Sequence, residues 1–268
     1  MAARHAMDIF SALNKSNCRE CGEKTCLAFA GAVFTGRRTL DSCPYLSAEA
    51  RLRLTVTDTG TGEEDESERS LRLLKDRLQT LDFAAAAARS GGRVKDDRLT
   101  VKVMGKDFKV DREGNFSSDI HINHWIAVPF LLYVLDGKGK TPEGNWISYR
   151  EVEGGRERYG LFNKRCEEDL RAVADAWPEL FQDMIGIFQG KEVESRFAAD
   201  VSVVLLPLPK VPVMICYWRP EEHIESTLNI YFDTTVNDNI GNNGIYSLCA
   251  GLAIMFMKLA KRHGFKRG

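Results

Sequence analysis

The sequence predicts an α+β protein in which a small cysteine-rich helical module precedes a larger mixed domain. Two patterns predict this class: some segments repeat apolar residues at helical spacing, and other short segments alternate apolar and polar residues as antiparallel strands do. Helices and short strands mixed in this order are typical of α+β domains. With 268 residues, 44% of them hydrophobic and 28% charged, the composition is that of an ordinary soluble globular protein with a sizeable core.

Four cysteines near the start form the pattern C-x2-C-x4-C-x16-C: Cys18, Cys21, Cys26 and Cys43. The first three lie close together in sequence, and the fourth returns from beyond a predicted helix. Each iron of a [4Fe-4S] cluster needs one external ligand, and thiolate suits iron. Four cysteines that converge on one point therefore predict a [4Fe-4S] cluster.

The residues beside these cysteines support a cluster. Gly22 follows the second cysteine, where the backbone must pass close to inorganic sulfide and direct its N–H groups at the sulfurs. Thr25 can cap a helix that begins at Cys26, so the third ligand lies at the positive end of a helix dipole. Pro44 follows the fourth cysteine, and the bacterial ferredoxin run also ends in Cys-Pro.

Two alternatives to a cluster remain open. Zinc is the nearer one, but four-cysteine zinc sites are usually built from two C-x2-C knuckles, and this region has one. Disulfides are the other, and the chain has an odd number of cysteines, 7. Residues 1–10 (MAARHAMDIF) lack the apolar run of a secretory signal. We therefore expect a cytoplasmic protein with reduced thiols.

The segment from Asp8 to Leu46 resembles a known cluster module. Its matching pieces are DIF-x2-L, N-C-x2-C-G-x2-T-C, the small-residue helix Leu27 to Val33, and D-x-C-P-Y-L. The similar module opens the large subunit of the corrinoid iron-sulfur protein of anaerobic one-carbon metabolism and also occurs in the B subunit of the Rnf electron-transport complex. The resemblance implies that the four cysteines bind a [4Fe-4S] cluster.

One residue departs from the pattern of that module. Arg19 stands where the resemblance leads us to expect a small residue, often Gly. A cation at this position favours the more negative, reduced cluster. We therefore expect it to raise the reduction potential.

A break in composition predicts the domain organisation. Residues 55–68, TVTDTGTGEEDESE, contain Val56 as their one apolar residue and end in an acidic run, which indicates a flexible acidic linker. The prediction is a cluster module at 1–54, the linker at 55–68 and an α+β domain at 69–268. The last of these is expected to bind a cofactor or a partner.

Periodicity predicts the elements of the large domain. A helical stripe begins at Ser67 and stops at Gly91-Gly92, and alternating residues around Gly105-Lys106 predict a hairpin. The next helix is expected from about Asp119 to Leu135, with a kink at Pro129. The later predictions are an extended segment at 146–152, a helix at 163–188 interrupted near Trp177-Pro178, two strands with a proline-rich turn within 199–218, and a strand at 228–233.

The last helix has a long apolar face. That face contains Ile245, Leu248, Leu252, Met255, Phe256 and Leu259. The charge-free stretch from Ile240 to Met257 is interrupted by Asn242 and Asn243 and contains three glycines. These features predict a buried core helix and no membrane span.

Two histidines are the candidate cofactor ligands of the large domain. His121 and His124 lie three residues apart at the head of the predicted helix, beside Trp125. One helical face can then present an imidazole to haem iron or to corrinoid cobalt. The alternative is that one histidine caps the helix and the other is an ordinary core residue. The chain lacks the D-x-H-x-x-G motif of Rossmann-like cobalamin carriers, so a corrinoid would bind in another way.

Other polar and sulfur-containing residues receive structural interpretations. Cys166, Cys216 and Cys249 are expected to be small packing residues, and His223 follows two glutamates in a charged turn. His5 and His263 lie near the termini, where we expect exposure. The segment 233–244, DTTVNDNIGNNG, predicts a turn, with a polar pocket as the alternative.

No motif assigns a reaction, so whether the protein is an enzyme stays open. The chain has no G-x-G-x-x-G, P-loop, G-x-S-x-G or H-E-x-x-H. The segments GGRERYGLF, AD-x-S-V-V-L-L-P-L-P-K-V-P-V and LNIYFD resemble an uncharacterised domain of anaerobes that often follows this cluster module. The resemblance names no reaction.

The leading hypothesis is an iron-sulfur electron-transfer protein of anaerobic metabolism. Its cluster passes single electrons to a redox cofactor, a corrinoid being one candidate, in the large domain or in a redox protein partner. The alternative is a protein-binding or assembly module with a structural cluster, which would not cycle reversibly at low potential. A formal net charge of -1 gives no reason to expect nucleic acid or an anionic membrane. The sequence leaves the oligomeric state open.

Overall fold

The computed structural model describes residues 6–34, 38–47, 50–51, 54, 66–194 and 197–262. It divides into two compact units, Met1–Glu64 and Asp65–Gly268. The fold is α+β, as the sequence predicts. Of the linker predicted at 55–68, residues 55–65 lie outside the described residues, and residues 66–68 begin a helix.

The first unit is built from short helices around a small apolar core. Its helices are α1, Ala6–Ala12, and α2, Cys26–Phe34, which pack against each other, and a 3-10 turn covers Leu40–Ser42. The core contains Ile9, Leu13, Cys26, Phe29, Ala30, Cys43, Leu46 and Leu54. Two of the predicted ligands are thus core residues of this unit.

The second unit contains both sheets and most of the described helices. Its helices are α3, Glu66–Asp76; α4, Phe83–Ser90; α5, His124–Asp136; α6, Gly155–Phe162; α7, Glu168–Ala176; α8, Pro178–Ile187; α9, Val236–Asn239; and α10, Gly241–Arg262. Its strands are β1, Arg93–Lys95; β2, Arg98–Val103; β3, Lys106–Val110; β4, Phe116–Ser118; β5, Trp146–Ser148; β6, Lys191–Glu192; β7, Val201–Leu208; β8, Val211–Trp218; and β9, Thr227–Asp233.

The first sheet is an antiparallel meander in the order β1-β2-β3-β4. Its central hairpin turns at Met104 and Gly105, whose φ angles of 49° and 77° both lie in the left-handed region. Such angles match the twist of a two-residue hairpin turn. The predicted hairpin is therefore present, with its turn one residue earlier than expected.

The second sheet is antiparallel in the order β5-β9-β8-β7-β6. Its central strand β8 is buried at every position except Trp218, which explains the continuous apolar run of its sequence. The three predicted strands are present, and the turn between β7 and β8 is formed by Pro209 and Lys210.

The helix predicted from Ser67 to Gly91 is two helices, which corrects the sequence prediction. After α3 a 3-10 turn covers Arg77–Thr80, and Leu81 is extended. Asp82 then caps α4, its carboxylate accepting hydrogen bonds from the N–H groups of Ala84 at 2.9 Å and Ala85 at 3.1 Å. A short acidic side chain that binds N–H groups in this way starts a new helix.

The helix predicted from Asp119 begins five residues later, at His124. Ile120 donates its N–H to the Ser118 hydroxyl at 3.3 Å, and Asn123 is extended, with φ −143° and ψ 170°. The chain leaving β4 is therefore held out of a helical path. Pro129 lies inside α5 as predicted.

The helical region predicted at 163–188 begins earlier, at Gly155, and includes a π-helical segment, Asn163–Glu167, between α6 and α7. Trp177 has φ −146° and separates α7 from α8, as the Trp-Pro pair predicts. The segment predicted as extended at 146–152 is β5 followed by a 3-10 turn, Tyr149–Glu151.

The last helix, α10, is a core element of the second unit. By length and composition it could also cross a membrane, but 56% of its apolar window is buried inside the protein. It packs against α5 so closely that a Cβ at Gly251 would lie 2.8 Å from the Cβ of Trp125. The apolar face predicted from its sequence is the face that lies in the core.

Candidate iron-sulfur site

The four cysteines of the first unit differ in their exposure. Cys18 is exposed, Cys21 is half-buried, and Cys26 and Cys43 are buried at 8% and 6% of their full exposure. Cys21 packs against the apolar core to which Cys26 and Cys43 belong. The site therefore has a buried side and a side open to solvent at Cys18.

Asn17 holds Cys26 in place at the start of α2. Its side-chain oxygen accepts the N–H of Cys26 at 2.8 Å, and its own N–H points at the Cys26 sulfur at 3.3 Å. Thr25 caps the helix as predicted, because its hydroxyl accepts the N–H of Ala28 at 3.0 Å. An amide donor at a ligand sulfur stabilises the thiolate form. The role of Asn17 was not predicted, although the motif N-C-x2-C contains this residue.

The loop that contains Cys18 and Cys21 has an unusual backbone. Lys15, Asn17 and Arg19 have φ angles of 57°, 52° and 67°, and Gly22 has 83°. The N–H of Gly22 donates to the carbonyl of Arg19 at 3.0 Å, which closes a tight turn between the two cysteines. Left-handed backbone is costly for residues with a Cβ and is retained where the loop has a specific shape to keep.

Tyr45 brings the first and fourth cysteines into one neighbourhood. Its hydroxyl donates to the Glu20 carboxylate at 2.7 Å, which ties the segment after Cys43 to the loop between Cys18 and Cys21. The hydrogen bond to Glu20 raises the pKa of Tyr45, and negative charge on Cys18 and on Cys43 raises it further. Both sulfurs are therefore close enough to the Tyr45 hydroxyl to affect its pKa.

The donor set suits an iron-sulfur cluster. No three His, Cys, Asp or Glu side chains among the described residues lie close enough to hold a single metal ion. In a [4Fe-4S] cluster each thiolate binds a different iron, so its four ligands surround the cluster and share no ion. The chemistry of the donors fits such a cluster, because one loop-and-helix unit offers four thiols and directs the Asn17 N–H at one of the sulfurs.

The two candidate histidines do not share a helical face, which corrects the prediction based on their spacing. His121 is exposed and lies before the helix, and His124 is the first residue of α5. The rings of His124 and Trp125 meet edge to face, with centroids 6.0 Å apart. His223 is exposed in a turn, as predicted, while His5 and His263 lie outside the described residues.

The remaining cysteines are packing residues, as the sequence predicts. Cys166, Cys216 and Cys249 are each fully buried, at 0% exposure. Burial raises the pKa of Cys166 and of Cys249, so both thiols stay protonated and unreactive.

The asparagine-rich segment after β9, predicted as a turn, is a two-residue turn followed by the short helix α9 and the start of α10. Asn239 is fully buried, and its amide group donates to the carbonyls of Lys140 at 2.9 Å and Lys210 at 2.8 Å. Its side-chain oxygen accepts the N–H of Lys140 at 2.8 Å. The amide thus satisfies three backbone groups of two other segments, so the role of Asn239 is structural.

A buried glutamate of the second unit was not predicted from the sequence. Glu167 is 3% exposed and accepts hydrogen bonds from the Tyr159 hydroxyl, the Asn163 amide and the N–H of Ile230. Ile230, its partner on β9, is distant in sequence. The one nearby sequence feature that could have indicated Glu167 is the Asn-x3-Glu spacing, which also occurs on exposed helices.

Comparison with known proteins places an iron-sulfur domain at residues 13–45, where the family model described as "Putative Fe-S cluster" matches. The corrinoid/iron-sulfur protein large subunit of Moorella thermoacetica is 53% identical over 45 residues, and the acetyl-CoA decarbonylase/synthase complex subunit gamma of Methanothermobacter thermautotrophicus is 46% identical over 46 residues. Each match covers 17% of this chain and 10% of the relative. The chain therefore spans about a tenth of the length of these curated relatives.

The second unit matches a different family. No solved structure matches the chain. The family model described as "Domain of unknown function (DUF3786)" matches residues 82–255, more than half of the chain, and covers both sheets and most of α10. The resemblance predicted from the sequence is thus confirmed: the chain belongs to the DUF3786 family and has an iron-sulfur domain ahead of the family domain.

Proposed function

We propose that this protein is an electron-transfer protein in which Cys18, Cys21, Cys26 and Cys43 hold a [4Fe-4S] cluster. This proposal rests on the match of residues 13–45 to an iron-sulfur family model, because that range contains all four cysteines. The chemistry that the bound cluster supplies is the gain and loss of one electron at a time. We place the protein in the cytoplasm, where thiols stay reduced.

The first unit gives the cluster one exposed side and one protected side. Cys26 and Cys43 lie in the apolar core, which keeps water from their sulfurs. Cys18 is exposed, so a redox partner approaches most closely there. The N–H of Asn17 favours the more negative charge state, because it donates to a ligand sulfur.

The electron acceptor that we propose first is a redox centre of a partner protein. The names of the relatives include a corrinoid protein and a complex subunit, which supports a protein partner and makes a corrinoid a candidate acceptor. A narrower version has the second unit bind a corrinoid through His124 or His121. Since these histidines do not share a helical face, the partner version has the stronger support.

Anaerobic purification tests the cluster. We expect brown protein with about four iron and four sulfide per chain. Cys26→Ala should lose the iron, whereas Cys216→Ala, which removes a buried thiol of the second unit, should keep it. Stoichiometric zinc without iron after anaerobic reconstitution would contradict the proposal.

Voltammetry separates electron transfer from a structural cluster. A one-electron couple that cycles reversibly at low potential is the expected result. A cluster that is destroyed before it is reduced would instead favour the protein-binding or assembly role.

Titration with cobalamin tests the narrower version. A change in the cobalt spectrum that weakens in His124→Ala or His121→Ala would support a corrinoid in the second unit. An unchanged spectrum at saturating cobalamin would rule out that version and leave the partner version.

A further inference from the structure

A cavity of about 290 Å³ lies in the second unit, between β5, α6, the π-helical segment and β9. Its lining is polar and aromatic except for Ile230, and the other lining residues are Ser148, Arg150, Tyr159, Glu167, Asn229 and Tyr231. This volume is at the lower end of the range of small-molecule sites. None of these residues belongs to the iron-sulfur unit, and the family description assigns them no role.

Glu167 is a buried carboxylate at this cavity with one acceptor position left. Its Oε1 accepts the N–H of Ile230 at 3.0 Å, and its Oε2 accepts the Tyr159 hydroxyl at 3.0 Å and the Asn163 amide at 3.1 Å. A carboxylate has about four acceptor positions, so these three donors leave roughly one for a donor that enters from the cavity.

Burial raises the pKa of Glu167, although the three donors and nearby Arg150 act in the opposite direction. Keeping this carboxylate charged inside the protein therefore costs free energy. Perturbed carboxylates that line a cavity are typical of binding and catalytic sites.

The backbone that carries Glu167 is itself unusual. Glu167 is the last residue of the π-helical segment Asn163–Glu167, which interrupts an otherwise α-helical run. Short π segments inside α-helices occur frequently at functional sites. Here the segment turns Glu167 toward β9 while Tyr159, on the preceding helix, still reaches it.

Arg150 supplies a fixed positive charge at the mouth of the cavity. Its guanidinium stacks on the ring of Tyr159, 3.9 Å from the centroid. Arg150 forms no ion pair with any side chain that the structure describes. One of its N–H groups also lies within hydrogen-bonding reach of the Tyr159 hydroxyl. The remaining N–H groups of the planar guanidinium can bind an oxyanion through two hydrogen bonds.

From these contacts we propose that the cavity binds a small carboxylate that also carries a hydroxyl or amino group. The carboxylate of the ligand pairs with Arg150, and its hydroxyl or ammonium group donates to the remaining acceptor position of Glu167. The volume of about 290 Å³ limits the ligand to a short-chain hydroxy acid or amino acid. This site does not depend on the iron-sulfur proposal, because it belongs to the other compact unit.

Calorimetric titration of the full chain with matched small molecules tests the proposal. The probes are lactate and alanine, which carry both groups, propionate, which lacks the donor, and 1,2-propanediol, which lacks the carboxylate. We expect saturable binding of lactate or alanine, binding of propionate about tenfold weaker, and no measurable heat from 1,2-propanediol. Whether lactate or alanine binds more tightly distinguishes a hydroxyl from an ammonium donor.

Variants of exposed arginines assign the binding to this cavity. Arg150→Ala should weaken binding of the preferred probe about tenfold or more, because a hydrogen-bonded charge pair is lost. Arg156→Ala removes a nearby exposed cation that does not line the cavity and should leave binding unchanged. Both positions are exposed, so the variants are expected to fold.

Hydrogen exchange gives a second readout that does not require a variant of Glu167. Because Ile230 donates its N–H to Glu167, the preferred probe should slow the exchange of that amide. The proposal is wrong if neither lactate nor alanine binds, or if Arg150→Ala and Arg156→Ala weaken binding equally. It is also wrong if propionate, or inorganic phosphate as an oxyanion without the donor group, binds as tightly as the preferred probe.

Discussion

Arg19 combines a costly backbone conformation with a charge beside the proposed cluster. Its φ of 67° is one that Gly adopts without penalty, which explains why a small residue is expected at this place in the module. The arginine side chain is exposed, so the first unit gains no packing from it in return. We therefore attribute the presence of arginine at position 19 to its charge.

Arg19→Gly should therefore change both the potential and the stability of the first unit. Loss of the cation should lower the reduction potential, and relief of the left-handed strain should stabilise the unit by about 1 kcal/mol. Voltammetry and chemical denaturation of the cluster-loaded protein measure the two effects. Arg19→Lys keeps the charge and should leave the potential almost unchanged; a potential that does not move in Arg19→Gly would contradict the electrostatic argument.

Asp82 is a second residue whose effect is local. It caps α4 by accepting two backbone N–H groups, and it is the reason that the helical stripe breaks into two helices. Asp82→Ala should destabilise the second unit by about 1 kcal/mol in urea denaturation. Asp82→Asn, which can still cap, serves as the control, and equal losses in the two variants would argue against the cap.

At the scale of elements, Asp233 connects the end of β9 to the segment before β5. Its carboxylate accepts four hydrogen bonds, from the N–H and the hydroxyl of Thr235 and from the N–H groups of Glu143 and Gly144. Burial raises the pKa of Asp233, but these hydrogen bonds outweigh it and hold the pKa below its usual value.

Stability should consequently fall in acid. Since the pKa of Asp233 is lower in the folded state, its contribution is fully present above the unfolded pKa of about 3.9 and is lost as the pH drops through the folded value. Asp233→Asn should cost about 2 kcal/mol at neutral pH, because its amide faces N–H donors, and should flatten the acid limb of the stability curve. Denaturant midpoints measured across the acid range test this.

Asp238→Asn is the matched control for this prediction. Asp238 pairs with Lys138 on the surface at 2.6 Å, and surface pairs contribute little. If the two variants lose the same stability, or if Asp233→Asn keeps the full acid dependence, the account of Asp233 is wrong.

How much of each element the sequence predicts depends on where its partners lie. The hairpin of β2 and β3 and the capped start of α2 are determined by neighbouring residues, and both are predicted. The break at Asp82 and the late start of α5 at His124 depend on competition between a helical pattern and a single side-chain or backbone hydrogen bond. Hydrophobic periodicity does not detect that competition.

The same distinction applies to the sites. The cysteine spacing predicts an iron-sulfur site because three of its ligands come from one short segment. Glu167 and Arg150 line one cavity only after the π-helical segment and the turn after β5 have both packed against β9, so no spacing in the sequence connects them. For His121 and His124 the spacing predicted too much. It predicted that both residues lie on one helix, but the helix begins only at His124.

At the scale of the whole molecule, the two compact units should fold independently. The second unit has a continuous core of its own that includes both sheets and α10. A fragment that begins at residue 66 should therefore keep a cooperative thermal transition without iron. In the full chain, Cys26→Ala should unfold the first unit and leave that transition in place, as measured by calorimetry.

Proteolysis tests the acidic linker predicted at residues 55–68, of which 66–68 are the start of α3 and only 55–65 are still proposed as linker. Limited digestion should cut there first and release a stable C-terminal fragment. A chain that resists cleavage at this point would argue that the cluster unit is held rigidly.

The π-helical segment Asn163–Glu167 also constrains how this chain can evolve. A π turn contains one residue more than an α turn, so deletion of one residue within the segment would restore a plain α-helix while the helices on either side keep their faces. Phe162 and Leu170, which are 0% and 1% exposed, would then still face the core, and the change would be confined to the residues of the segment itself, Glu167 among them. Relatives that keep Tyr159 and Glu167 should accordingly align without a gap here, whereas a one-residue gap should mark lineages that have lost the π turn and keep their fold.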